Sequence, residues 1–170
     1  MSENPTIRFA VIGLNHGHIY GQTELMLRAG AELVTVYAKE PELVEAYRSV
    51  YPQAVLAPSE EAILEDDSIQ LVVNAGIPSE RAPVGIRVMQ AGKDFMVDKP
   101  GVTTLAQLAE VRKVQAETGR IYSVCYSERL EVAASVKAGV VVHAGAIGDV
   151  VQVAFLAPHH HRPASRAPWF

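Results

Sequence analysis

The sequence has a single cysteine, Cys125, among its 170 residues, which excludes an intrachain disulfide framework and leaves folding to a buried core. Cys125 lies in an apolar, strand-like run and reads as a buried, inert thiol. Aromatic residues make up only 6% of the chain, so aliphatic side chains must supply that core. No Lys/Arg-rich run occurs, and 15 basic against 19 acidic side chains give a net charge of −4. The footprint of a protein that neutralises phosphates along a duplex is missing, and no nucleic acid is expected as a partner. Long apolar runs are absent too: residues such as His143, Asp149 and Gln152 interrupt the tail, and the opening MSENPTIR has no apolar signal segment. No membrane partner is expected, and the composition reads as that of a soluble, cytoplasmic protein. With 10 prolines and 12 glycines, it is not that of a disordered chain.

What is present is alternation. From Ile7 to about Tyr126, apolar runs of strand length alternate with stretches of helical period, the signature of βαβ units around a parallel sheet. Six strands are predicted: Ile7 to Gly13, Leu33 to Tyr37, Ala54 to Leu56, Ile69 to Asn74, Asp94 to Val97 and Ile121 to Tyr126. Helices are predicted from about Gly17 to Arg28, from Glu42 to Tyr51 behind Pro41, briefly after Ser59, and from Arg81 to Ala91. The clearest helix opens on Thr104 and Gln107 as a capping box, repeats Leu105, Leu108, Val111 and Val114 at helical spacing, and stops at Gly119. Beyond it come a helix from about Glu131 to Ala144 and a strand from Val150 to Leu156, then a tail rich in Pro, His and Arg. One helix and one strand cannot close a core, so residues 1–127 read as a complete domain and 128–170 as the start of a second, with the chain stopping midway.

Three places carry chemistry. The turn after strand one, Gly13-Leu14-Asn15-His16-Gly17-His18, follows the dinucleotide fingerprint G-x-G-x-x-G with glycine only in the first slot. Gly13 suits the tight turn, Asn15 tolerates a left-handed conformation, and Gly17 keeps the helix N-terminus open to a pyrophosphate. The same turn holds an H-x-H pair, His16 and His18, but the barrel that presents such a pair to a metal needs about 250 residues, and the sequence offers no partner carboxylate cluster. No metal is expected. At the end of strand two, the slot for a ribose-binding carboxylate holds Ala38 with Lys39 beside it, which suits a 2′-phosphate better than a free diol; a solvated lysine is the other reading. At the end of strand five, Asp98-Lys99-Pro100 sits where ligands dock in an open parallel sheet. A lysine there can exchange a proton with a substrate hydroxyl as its carbon gives up a hydride.

These pieces occur in a recognisable order: Gly92-Lys93, Asp98-Lys99-Pro100, Tyr126-Ser127-Glu128-Arg129, Gly145-Ala146-Ile147-Gly148-Asp149-Val150 and Pro168-Trp169-Phe170. In that order the chain resembles the first half of the Gfo/Idh/MocA family of NAD(P)-dependent oxidoreductases, from Ile7 to Phe170. The resemblance implies a Rossmann-type α/β domain followed by an α+β domain that shapes a carbohydrate-like, small-molecule substrate pocket and often forms the face between copies, hence a homo-oligomer. It implies NAD or NADP as cofactor and Lys99 as the catalytic lysine, with Asp98 where the family usually has Glu. The cofactor-binding set expected on this reading is Gly13, Leu14, Asn15, His16, Gly17, His18, Ala38, Lys39, Asn74, Ala75, Gly76, Asp98, Lys99 and Tyr126. The family's other proton-transfer residues fall beyond Trp169-Phe170. The expected function is hydride transfer between a nicotinamide cofactor and a sugar or polyol-like substrate, with a non-catalytic dinucleotide-binding or sensor module as the alternative. His159-His160-His161 reads as a loop at the substrate mouth, with a plain exposed loop as the other reading.

Overall fold

The computed structural model describes residues 6–154, 156, 158 and 166–169. The chain divides into two compact units, Met1–Cys125 and Tyr126–Phe170. In the first, strands and helices alternate as β1 (Arg8–Ile12), α1 (His18–Arg28), β2 (Glu32–Tyr37), α2 (Pro41–Val50), β3 (Val55–Leu56), α3 (Glu60–Leu64), β4 (Leu71–Asn74), α4 (Pro78–Gln90), β5 (Asp94–Asp98), α5 (Leu105–Thr118) and β6 (Tyr122–Cys125). Every pairing is parallel, and the sheet order is β3-β2-β1-β4-β5-β6. This is the parallel α/β sheet that the alternation predicts, in the Rossmann-type form that the resemblance implies. The chain runs outward from β1 to β3, then returns to lay β4 on the other side of β1. A crevice opens at the carboxyl ends of that central pair, the place where open parallel sheets bind ligands.

Successive side chains of a strand face opposite ways, so a strand covered on both sides must be apolar throughout. In β1, Phe9 and Val11 join one core cluster with Leu33, Val36 and Tyr47, and Ala10 and Ile12 join the other with Val72, Val88 and Phe95. The helices pack closely on this sheet. At Gly85 in α4 an added Cβ would lie 2.5 Å from both the Phe95 and Tyr122 rings, so only glycine lets the helix sit at that depth.

Helix α4 begins three residues before the predicted Arg81, because Pro78 takes its first turn. Pro83 lies inside the helix and has no N–H for the Ser79 carbonyl. The Gln107 side-chain amide of α5 donates to that carbonyl at 3.0 Å instead. Gln107 also builds the start of its own helix: its backbone N–H donates to Thr104 Oγ1 at 3.1 Å, while its Oε1 accepts from the Thr103 N–H at 2.8 Å. The capping box is therefore present with its return bond one residue early. Of the predicted apolar stripe of α5, Val111 and Val114 are buried, whereas Leu105 and Leu108 are exposed. Cys125 is half-buried rather than buried, because β6 is an edge strand.

The second unit holds α6 (Ser127–Glu131) and α7 (Ala133–His143). The single helix predicted over 131–144 is thus α7 with a short helix ahead of it, parted at Val132. The strand predicted from Val150 to Leu156 is a correction: the described residues of that stretch, 150–154 and 156, are not in a strand. Among the described residues of this unit there is no strand, so the run has no ladder to join. The His159-His160-His161 loop lies outside the described residues. Among the described residues, no helix is long and apolar enough to cross a membrane.

Candidate functional site

Two glycines form the floor of the crevice. Gly13 has φ +85°, and a Cβ there would lie 3.0 Å from the Gly76 Cα and 3.1 Å from Asn74 Nδ2. The turn after β1 and the turn after β4 thus touch backbone to backbone. Asn74 locks them together, its Nδ2 donating to the Ile12 carbonyl and its Oδ1 accepting from the Gly76 N–H at 2.9 Å. The Ala75 carbonyl accepts from the His16 N–H at 2.9 Å. Leu14 points the other way and is buried in the core, so it supports the turn from beneath. Gly17 is exposed and precedes the first residue of α1.

Above this floor is a cleft of about 250 Å³ lined by Gly13, Asn15, Ala38, Lys39, Gly76 and Arg81, among others. Its outer wall was not legible in the sequence. Glu40, Glu60, Glu80 and Arg87 line it as well. Asn15 Nδ2 donates to Glu40 Oε1 at 2.8 Å, tying the β1 turn to the end of β2. Lys39, read above as a cation available to a phosphate, lies 3.4 Å from Glu80, and Arg87 pairs with Glu60.

The inner end of the site centres on Asp98, the last residue of β5, whose side chain is 2% exposed. Arg81 Nη2 lies 3.2 Å from Asp98 Oδ2, Arg81 Nη1 donates to the Asp98 carbonyl at 3.0 Å, and Arg81 Nε donates to the Gly76 carbonyl at 2.8 Å. His18 Nδ1 lies 2.9 Å from Asp98 Oδ1, and His16 Nδ1 lies 3.4 Å from Asp98 Oδ2. The two imidazoles meet edge to face, with centroids 4.2 Å apart. Burial, then the neighbouring His18, pull the His16 pKa below its ordinary value against the opposing pull of Asp98. Burial likewise lowers that of Arg81, with Asp98 opposing it, but a guanidinium stays charged.

The fold therefore supplies the carboxylate that the sequence did not pair with His16 and His18: the three ligand atoms lie within 4.8 Å of one another. Arg81 already neutralises that carboxylate, so a divalent cation there would face two neutral rings and a net charge near zero, which is a weak site. Lys99 follows Asp98 and is half-buried; its neighbour Pro100 is joined by a cis peptide bond. Among the described residues, the Lys99 ammonium makes no ion pair or hydrogen bond. Tyr126 belongs to the second unit.

Arg81 is the principal residue that the sequence reading missed. Its signal is present: Arg81, Val84 and Val88 recur at helical spacing on the buried face of α4, and a charged residue on such a stripe needs a buried partner.

A touching glycine floor, a cleft at the β1/β4 switch point and a helix N-terminus beside it fit a dinucleotide. The family model described as an oxidoreductase family with an NAD-binding Rossmann fold matches residues 7–126. The chain belongs to this family, Gfo/Idh/MocA, and its first unit is the NAD(P)-binding domain. The uncharacterized oxidoreductase YdgJ of Escherichia coli is 26% identical over 172 residues, covering 99% of this chain and 47% of that protein. A crystal structure from Erwinia carotovora atroseptica, described as a candidate oxidoreductase, matches with TM-score 0.83 at 42% identity over 86% of this chain and 44% of its own. The WlbA dehydrogenase of Bordetella pertussis, solved with NADH and UDP-GlcNAcA, shares the fold at TM-score 0.75 and 23% identity over 85% of this chain and 44% of its own. The chain thus spans less than half the length of these relatives.

Proposed function

We propose that this chain carries the cofactor-binding and proton-transfer part of an NAD(P)-dependent oxidoreductase acting on a sugar or polyol-like substrate. A bound nicotinamide cofactor supplies hydride acceptance or donation. The chain's residues do the rest. The observation that carries the reading is Lys99, an ammonium with no ion-pair or hydrogen-bond partner among the described residues, at the end of β5 and next to a buried Asp98–Arg81 pair. As an ammonium, Lys99 can donate to a substrate oxygen, and as the neutral amine, once its own proton has passed to solvent, it can take up the hydroxyl proton when hydride leaves; among the described residues nothing else holds it. The WlbA complex with a nucleotide sugar and the likeness to a myo-inositol 2-dehydrogenase support the substrate class. The second unit, whose helix α7 is rich in valine and has no buried residue, is where we assign the substrate wall and contacts between copies.

The test is a screen of inositols, aldoses and uronic-acid sugars for reduction of NAD⁺ or NADP⁺ by the natural protein, with Lys99→Ala in parallel. Turnover that falls by about 10²-fold or more in Lys99→Ala, with cofactor affinity little changed, is the expected result. Turnover that survives the substitution removes Lys99 from the chemistry, and cofactor binding with no turnover on any substrate favours the non-catalytic sensor module.

A further inference from the structure

We propose that binding of a dinucleotide's diphosphate at the start of α1 is coupled to uptake of one proton by His16, with Asp98 as the fixed counter-charge. The inference rests on the dinucleotide reading of this crevice. It begins from the departure of the turn from its fingerprint, in which two glycine slots are filled by Asn15 and His18.

His16 Nδ1 has two competing neighbours. The His18 backbone N–H donates to it at 3.3 Å, and Asp98 Oδ2 lies 3.4 Å away. A neutral ring with its lone pair at Nδ1 satisfies the amide and turns that lone pair toward a carboxylate oxygen. An imidazolium does the reverse: Nδ1–H donates to Asp98, in a charge-assisted bond, and the His18 amide is released. That amide belongs to the first residue of α1, one of the N–H groups that a helix leaves for an outside acceptor. Protonating His16 therefore frees an anion-binding donor and adds a positive charge beside it.

The groups that set this balance come from every element packed here. His18 on α1, Arg81 on α4 and Lys99 after β5 oppose a proton on His16, and Asp98 on β5 favours it. Burial adds to the opposition, so the ring in the free chain takes a proton less readily than an ordinary imidazole. Arg81 cancels Asp98 and Lys99 leaves a positive charge beside the ring, so the cluster resists a further proton until a diphosphate brings two negative charges. The anion then favours the protonated state, and by linkage the protonated state favours the anion.

Calorimetry of NAD⁺ binding reads the coupling directly. NAD⁺ has no titrating group in the neutral range, so measurements in buffers of widely different ionisation enthalpy give the protons taken up by the protein. We expect about one proton per NAD⁺ just above neutral pH, and a Kd that weakens toward about tenfold per pH unit as the solution is made more alkaline. His16→Gln should bind NAD⁺ more weakly near neutral pH and show neither proton uptake nor pH dependence. Nitrogen chemical shifts of the histidine rings in the unsubstituted chain give an independent reading, with His16 Nδ1 changing from acceptor to protonated on addition of NAD⁺. Binding with no net proton, or uptake that persists in His16→Gln, overturns the coupling and leaves the dinucleotide reading intact. A folded chain that binds no NAD⁺ overturns both. Stoichiometric Zn²⁺ binding that excludes NAD⁺ overturns the coupling by giving the cluster to a metal.

Discussion

Arg81 holds Asp98 by both its side chain and its backbone, with Nη2 3.2 Å from Oδ2 and Nη1 donating to the carbonyl at 3.0 Å. Both side chains are almost fully buried, at 1% and 2% exposure. Removing one partner of such a pair strands the other charge, which costs about 3–5 kcal/mol. Arg81→Met should therefore lower the unfolding free energy by about that amount and the melting temperature by on the order of 10 °C. Urea and thermal unfolding measure it. A loss below about 1 kcal/mol would mean that water reaches Asp98 in the variant and that the pair is not the anchor of the β5 end.

A pH dependence follows from His16. Its folded pKa lies below the ordinary 6.5, chiefly because it is buried. As pH falls through 6.5, the unfolded chain takes the proton first, so stability declines until the folded pKa is reached. Denaturation midpoints measured in steps from neutral to mildly acidic pH should fall, and His16→Gln should flatten that part of the profile. An unchanged slope in the variant would assign the acid sensitivity to other groups.

Cofactor choice turns on the outer wall of the cleft. Lys39 is paired with Glu80 at 3.4 Å, and Glu40 lines the same cleft, so the cation beside Ala38 is partly spent inside the protein. Glu80→Gln should release it and raise affinity for NADP(H) relative to NAD(H) by about three- to tenfold, an effect that salt weakens. Lys39→Ala should abolish the gain, and Ala38→Asp should shift preference toward NAD(H). Equal affinities across all three variants would take this segment away from the ribose.

Gly85→Ala tests how close α4 lies to the sheet. The new methyl would meet the Phe95 and Tyr122 rings at 2.5 Å, where it must force a shift of helix or rings. Despite alanine's better helix propensity, a net loss of about 1–3 kcal/mol is expected in unfolding experiments. A stabilised variant would show that the helix can lift at no cost.

The sequence by itself determined the order of elements in the first unit, the parallel sheet, the Gly13 turn and the start of two helices, at Ser59, whose side chain accepts from the Ala62 N–H, and at Thr104. These depend on apolar period and on bonds between near neighbours, and both can be read along the chain. It also marked Lys99 and the two histidines as candidates for chemistry. It misjudged the described residues of the run from Val150 to Leu156, 150–154 and 156, where apolar character alone does not make a strand. Only the tertiary structure decided what the marked residues face. His16, His18, Arg81 and Asp98 come from the turn after β1, from the first residue of α1, from α4 and from the end of β5, and Lys39 meets Glu80 from a different element. No local pattern encodes such pairs, because a charge's partner is chosen by which elements pack side by side and by how much water that packing removes.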